Sequence, residues 1–209
     1  MWTESDDRYW IEAEARIEAR LVDLEGRGFV LESSSFKQGW TDDLRIRVRP
    51  ALAEGLERAR AALPAGHNFK LVSGWRSWAV QQKCAEQALA KLRAAHPEWP
   101  EERLFERRRE MAPLARIVPG FDSHRYGGEV DLTVVDATGQ ALDMGVPFSY
   151  VTGPEAALLW YELKPELLPA EVPFRDHRRM LMRAMSAGHF EPYLAEWWHW
   201  GMRRDCGAG

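Results

Sequence analysis

Cysteine is scarce in this chain. Only Cys84 and Cys206 occur in 209 residues, far apart and in no Cys-x-x-Cys spacing, so a cysteine metal site is excluded. Cys84 reads as a small apolar residue on a helix, and Cys206 as an incidental thiol near the C-terminus. Long apolar runs are missing too. No window approaches a membrane span, and the acidic start Met1-Trp2-Thr3-Glu4-Ser5-Asp6-Asp7 has no apolar signal core, so the expectation is a cytoplasmic protein with no membrane partner. Positive charge is not in excess: 28 Lys and Arg stand against 32 Asp and Glu, a net charge of -4. Without a broad basic surface to neutralise phosphates, nucleic acid is not an expected partner. Repeats and low-complexity linkers are also absent, and a chain of this length reads most simply as one domain with a sizeable core.

Amphipathic patterning is what the chain does carry. Trp10, Ala13, Ile17, Leu21 and Leu24 recur at three- and four-residue spacing, which predicts a helix over 8–25 ended by Gly26 and Gly28. Turn formers dominate 29–43, read as a largely irregular loop able to cover a site. Pro50 opens a helix with Leu52, Leu56, Ala59 and Leu63 on one side, stopped by Pro64 and Gly66. Asn68 to Ser73 alternates as a short strand that delivers Gly74-Trp75-Arg76, and Ser77 then caps a helix reaching about Ala95. Pro100 starts another helix, on which Arg107-Arg108-Arg109 reads as a solvated face with Arg107 in reach of Glu110.

Val130 to Val135 reads as a strand with Asp131, Thr133 and Val135 on one face, followed by a hairpin turn at Asp136 to Gly139. Glu155 to Leu163 reads as a short helix, and Asp176 as the cap of a helix over 178–187. Trp197, Trp198 and Trp200 suit a final strand, with Trp198 and Trp200 buried opposite His199. The expected fold is α+β: a small antiparallel sheet packed by several helices, with 1–66 a helical N-terminal part and 67–205 the core that carries the chemistry.

Two stretches stand apart, Asp122 to Val134 and Glu196-Trp197-Trp198-His199. A hydrolytic zinc centre needs three His or carboxylate ligands, an open position for water and a nearby carboxylate that is not a ligand. His124, Asp131 and His199 supply the ligands, and Glu196 supplies the carboxylate. Along an uninterrupted strand His124 and Asp131 would face opposite ways, but Gly127-Gly128 lets the chain turn between them. A lone histidine reads as a satisfied core residue, and His67, His96, His177 and His189 are read as structural or surface groups. The company of His124 sets it apart. Zinc is the expected cofactor, and the same donors also suit other divalent ions.

His124-x-x-Gly127-x-x-x-Asp131 followed by Glu196-x-x-His199, together with Ser73-Gly74-Trp75-Arg76-Ser77 and Leu142-Asp143-Met144-Gly145, resembles the zinc D-alanyl-D-alanine dipeptidases of the VanX type. Their relatives, the zinc D,D- and L,D-carboxypeptidases of peptidoglycan, share the pattern, which here runs from about Leu71 to Arg203. The resemblance implies a zinc peptidase that hydrolyses a D,D-dipeptide such as D-Ala-D-Ala in cell-wall chemistry, with a small peptide as its partner. It gives Glu196 the role of catalytic base and proton carrier. It gives Arg76 that of donor to the scissile carbonyl oxygen, a task for a rigid, always charged guanidinium.

Three positions depart from that family. Asp122 stands in place of a serine that helps hold the substrate carboxylate, Glu129 in place of an alanine, and Ser149 in place of an aspartate that binds the free amino terminus. All three touch recognition rather than zinc, which makes Asp122, Glu129 and Ser149 candidate substrate-binding residues. The alternative is therefore a zinc carboxypeptidase or amidase of the same fold that acts on a longer or modified peptide. A non-catalytic zinc-bound interaction module is a third reading, disfavoured because Glu196 and Arg76 are both retained.

Overall fold

The computed structural model describes residues 12–111, 123–150 and 152–202. Helix α1 covers residues 12–18. It is followed by strands β1 (Val22–Asp23) and β2 (Val30–Leu31), the single-turn helix α2 (Ser34–Lys37), β3 (Arg47–Val48) and α3 (Pro50–Ala61). Then come β4 (Asn68–Ser73), α4 (Trp78–Ala95), α5 (Glu101–Met111), a 3-10 turn at His124–Tyr126 and β5 (Glu129–Val135). Helices α6 (Trp160–Leu163) and α7 (Val172–Ala187) and strands β6 (Phe190–Pro192) and β7 (His199–Met202) complete the order. The fold is α+β, as the patterning predicts. Among the described residues no helix is long and apolar enough to cross a membrane.

Five strands form the main sheet in the order β2-β4-β5-β7-β6, and β5 is its middle strand. Four of them pair antiparallel, but β2 lies parallel to β4, so the sheet is mixed rather than purely antiparallel. On one face of β5, Val130, Leu132 and Val134 are fully buried in a core shared with Leu52 and Leu56 of α3 and Leu181 and Met185 of α7. Each such side chain contributes about 1.5–3 kcal/mol, which anchors β5 firmly. The other face carries Asp131 and Thr133, and α4 sets Gln81, Cys84, Ala88 and Lys91 around the cavity above Asp131. Ser77 caps α4 as expected, its hydroxyl accepting the Val80 N–H at 3.3 Å.

Differences from the sequence reading fall where short strands and helix starts compete. The helix expected over 8–25 stops early, and its residues 8–11 lie outside the described residues. Val22–Asp23 pairs instead with Arg47–Val48, and the fully buried Leu24 donates its N–H to the Ile46 carbonyl at 3.1 Å. The apolar spacing fits either state there, and the strand partner, distant in sequence, decides. For the same reason residues 1–66 are not simply helical, since they supply β1, β2 and β3. Helix α7 begins at Val172, with Pro173 in its first turn, so Asp176 lies inside the helix beside Arg175 and Arg179 and does not cap it. The Glu155 to Leu163 stretch divides into a 3-10 turn (Pro154–Ala156) and α6, separated by the extended Ala157.

Candidate metal centre

Strand register assembles the centre. Asp131 on β5 pairs directly with His199 on β7, and on its other side with Ser73 of β4, just past an irregularity between Leu71 and Ser73. Directly opposed residues share a face, so Asp131 and His199 meet without any loop having to position them. His124 arrives from the 3-10 turn that precedes β5. Gly127 reverses the chain with φ +68, in the left-handed region that favours glycine.

The three expected ligands converge. His124 Nε2 lies 3.2 Å from Asp131 Oδ1 and 3.2 Å from His199 Nδ1, and His199 Nδ1 lies 2.9 Å from Asp131 Oδ1. Ligands about 2.0–2.1 Å from a tetrahedral ion stand roughly 3.3 Å apart, so these atoms outline one face of such a tetrahedron. The buried group can hold a metal ion. His124 Nδ1 donates to the Gly74 carbonyl at 2.7 Å, which fixes the tautomer and leaves Nε2 with its lone pair. Gly74 is itself tightly placed: a Cβ would lie 2.5 Å from the Arg47 carbonyl oxygen.

A second layer of charge surrounds the ligands. Arg76 donates to Asp131 Oδ2, and its Nε donates to Ser73 Oγ at 2.9 Å. Burial opposes the charge of Asp131, but His124, Arg76 and His199 overrule it and hold the carboxyl well below the usual carboxylate range. Glu129 accepts from His199 Nε2 at 3.2 Å and from the His124 backbone N–H at 3.0 Å, a carboxylate–histidine arrangement that orients the second ligand. Burial would push His199 down, yet its bonds to Asp131 and Glu129 raise it to about 10. Burial and the charge of Arg76 lower His124. Metal binding by these donors therefore competes with a proton on His199.

Glu196 lines the same cavity from the turn ahead of β7 and is only 8% exposed. Burial raises its carboxyl to about 7, against the pull of the His199 and Arg76 charges. A carboxyl poised near neutrality can take a proton and return it. The cavity measures about 370 Å³ and is also lined by Trp40, Phe148 and Ser149, so the 29–43 stretch, which carries β2 and α2 rather than a largely irregular loop, borders the site. Ser149 is present in the wall, with φ +62. Asp122 lies outside the described residues, and its neighbour Ser123 lines the cavity. Trp197, Trp198 and Trp200 are all buried, and Trp198 also borders the cleft, edge-on to Phe148 with centroids 5.5 Å apart.

Two cavity residues escaped the sequence reading. Lys91 donates to the Ser149 carbonyl at 3.3 Å and hydroxyl at 3.2 Å, and Cys84, read as buried packing, is half-buried with Sγ 3.7 Å from Arg76 Nη1. Gln81, Cys84, Ala88 and Lys91 follow helical spacing, and that polar stripe on α4 was the available signal. No protein-family model matches the chain, and no curated protein matches it significantly. The family reading therefore rests on these residues and their geometry alone.

Proposed function

We propose that this chain is a zinc-dependent amide hydrolase of the D-alanyl-D-alanine peptidase kind. The observation that carries the reading is the pairing of a three-donor tetrahedral face with a separate buried carboxyl, Glu196, that lines the same cavity. Structural metal sites have no use for such a group, and hydrolytic ones do. Zinc bound by His124, Asp131 and His199 would supply a Lewis acid that makes water acidic near pH 7. Glu196 takes the proton that water loses as the new C–O bond forms, and delivers it to the amine as the C–N bond breaks. Arg76 balances Asp131 through one terminal nitrogen, while its Nη1 has the weakly accepting Cys84 sulfur at 3.7 Å and keeps donor capacity for the oxygen on which negative charge develops.

A free D,D-dipeptide such as D-Ala-D-Ala is the substrate that the resemblance suggests. One observation favours the carboxypeptidase or amidase variant of the same reaction. The ammonium of Lys91 stands beside Ser149, where a substrate's free amino group would be repelled rather than bound.

Glu196→Ala tests the reading. Zinc should still bind stoichiometrically, while D-Ala-D-Ala or N-acetyl-D-Ala-D-Ala turnover drops by about 10²–10⁴-fold. Full activity in that variant would remove Glu196 as the base. Zinc retention without activity in the wild-type protein, across free and acylated D,D-peptides, would favour a non-catalytic zinc module.

A further inference from the structure

Helix α1 supplies no residue to the cavity wall, yet one face of it is wired to the centre. Glu14 and Glu18 stand four residues apart and so share that face, and each pairs with an arginine distant in sequence. Glu14 Oε2 accepts from Arg125 Nη1 at 2.5 Å and from the Trp78 backbone N–H at 2.9 Å. Glu18 Oε1 accepts from Arg47 Nη1 at 2.5 Å.

Both arginines grip the short segment that ends in Arg76. Arg125 Nη1 donates to the Arg76 carbonyl at 2.9 Å, and the Arg125 carbonyl accepts from Trp75 Nε1 at 3.2 Å. The Arg47 carbonyl accepts from the Trp75 backbone N–H at 2.7 Å, and the Arg47 guanidinium lies 4.9 Å from the centre of the Trp75 ring. That segment also holds the first ligand, since His124 Nδ1 donates to the Gly74 carbonyl and the Arg76 N–H donates to the His124 carbonyl at 3.0 Å. A shift of 74–76 therefore moves the Arg76 fork and the His124 ring together. The two links differ in redundancy. Arg47 has Asp43 as a second carboxylate at 2.8 Å, whereas Arg125, only 6% exposed, has Glu14 alone among the described residues. A buried cation with one partner depends on it far more than a cation with two.

We propose that Glu14 is a positioning residue of the metal centre, acting through Arg125 to fix both Arg76 and His124, so that α1 belongs to the centre although it never meets a ligand. Its effect on turnover rests on the amide hydrolysis argued above, and its effect on metal binding does not. Glu14→Gln keeps the shape and removes the charge. Zinc affinity, read by competition with a chelator, should fall by about tenfold, as for other residues that orient a ligand from behind. In the zinc-saturated protein, kcat for D-Ala-D-Ala or N-acetyl-D-Ala-D-Ala should fall by about tenfold or more with KM little changed, because a misplaced Arg76 fork is felt where charge develops. Glu14→Asp retains the charge and should recover part of both losses. Glu18→Gln should do less than Glu14→Gln in both assays, since Arg47 keeps Asp43.

Circular dichroism at the assay temperature shows which variants are folded. A merely structural Glu14 would lower the melting temperature and leave the zinc affinity and kcat of folded Glu14→Gln at wild-type values, which would overturn the positioning role and leave the hydrolase. Should Glu14→Gln fail to fold, the double variant Glu14→Gln, Arg125→Met removes both charges and takes its place. Wild-type zinc affinity and kcat in that variant would overturn the proposal equally. Weakened zinc binding in Glu14→Gln, with no peptide turned over by the wild type, would overturn the hydrolase and leave the positioning role standing. Failure of the wild type to bind zinc would overturn both.

Discussion

On the sheet wall of the cleft, Asp131, His124, Arg76 and Glu129 are all tied to one another or to backbone at hydrogen-bond distance. The opposite wall is different: Ser149 sits at φ +62, and Lys91 leans on it without a carboxylate partner among the described residues. One wall is held by a network of charges, whereas on the other an ammonium is held only by a serine hydroxyl and carbonyl. The contrast follows from where each is built, because β5 is locked by its core face and strand register, whereas Ser149 belongs to a connection between elements. A chemical centre on strands can stay fixed while recognition changes on loops.

The sheet wall should be the costly one to disturb. Asp131→Asn leaves the buried Arg76 guanidinium without its counter-charge and removes a ligand, so unfolding should show a loss of about 3–5 kcal/mol together with loss of stoichiometric zinc binding. A stable, zinc-binding variant would break the comparison.

Glu196→Gln acts in the other direction. In the zinc-free protein Glu196 titrates near 7 rather than 4.5, so the folded state holds a proton that the unfolded state has released, and the wild type loses stability as pH rises from 4.5 to 7. The glutamine variant carries no such penalty. It should be the more stable by about 3 kcal/mol above pH 7, with the gap closing below pH 4.5. Denaturant melts across pH measure this, and parallel curves would show that burial does not strain Glu196.

Glu129→Gln weakens the orientation of His199 and the tie to the His124 backbone N–H, so zinc affinity should fall by about 10- to 100-fold while the fold survives. Competition with a chelator reads this directly. An unchanged affinity would move Glu129 from the ligand layer to the recognition wall.

The smallest effect belongs to the loop wall. Ser149→Gly relieves a positive φ and gives up one hydroxyl contact with Lys91, so stability should rise by up to about 1 kcal/mol. A thermal melt showing a clear loss instead would mean that the hydroxyl holds the loop.

Strong local signals were legible along the chain. Helix α3 with Leu52, Leu56 and Ala59 inward, the Ser77 cap of α4 and the Asp136 turn all follow residue types that act over a few positions. The Gly127 reversal and the placement of Asp131 on a buried strand were equally readable, because φ preference and period-two alternation are local properties. The early end of α1, the parallel entry of β2 and the extra turns at the start of α7 were not, since each depends on partners elsewhere in the chain.

By itself, then, the sequence determined which residues could be ligands, His124, Asp131 and His199, and which carboxylate stood apart, because donor chemistry belongs to the side chain. Only the tertiary structure decided that Asp131 faces His199 across two strands, that Glu129 grips the second histidine, and that Lys91 reaches Ser149 from α4. Those pairings depend on register and helix placement, which are set by burying the far face of β5 against α3 and α7 and are encoded in no single stretch of the chain.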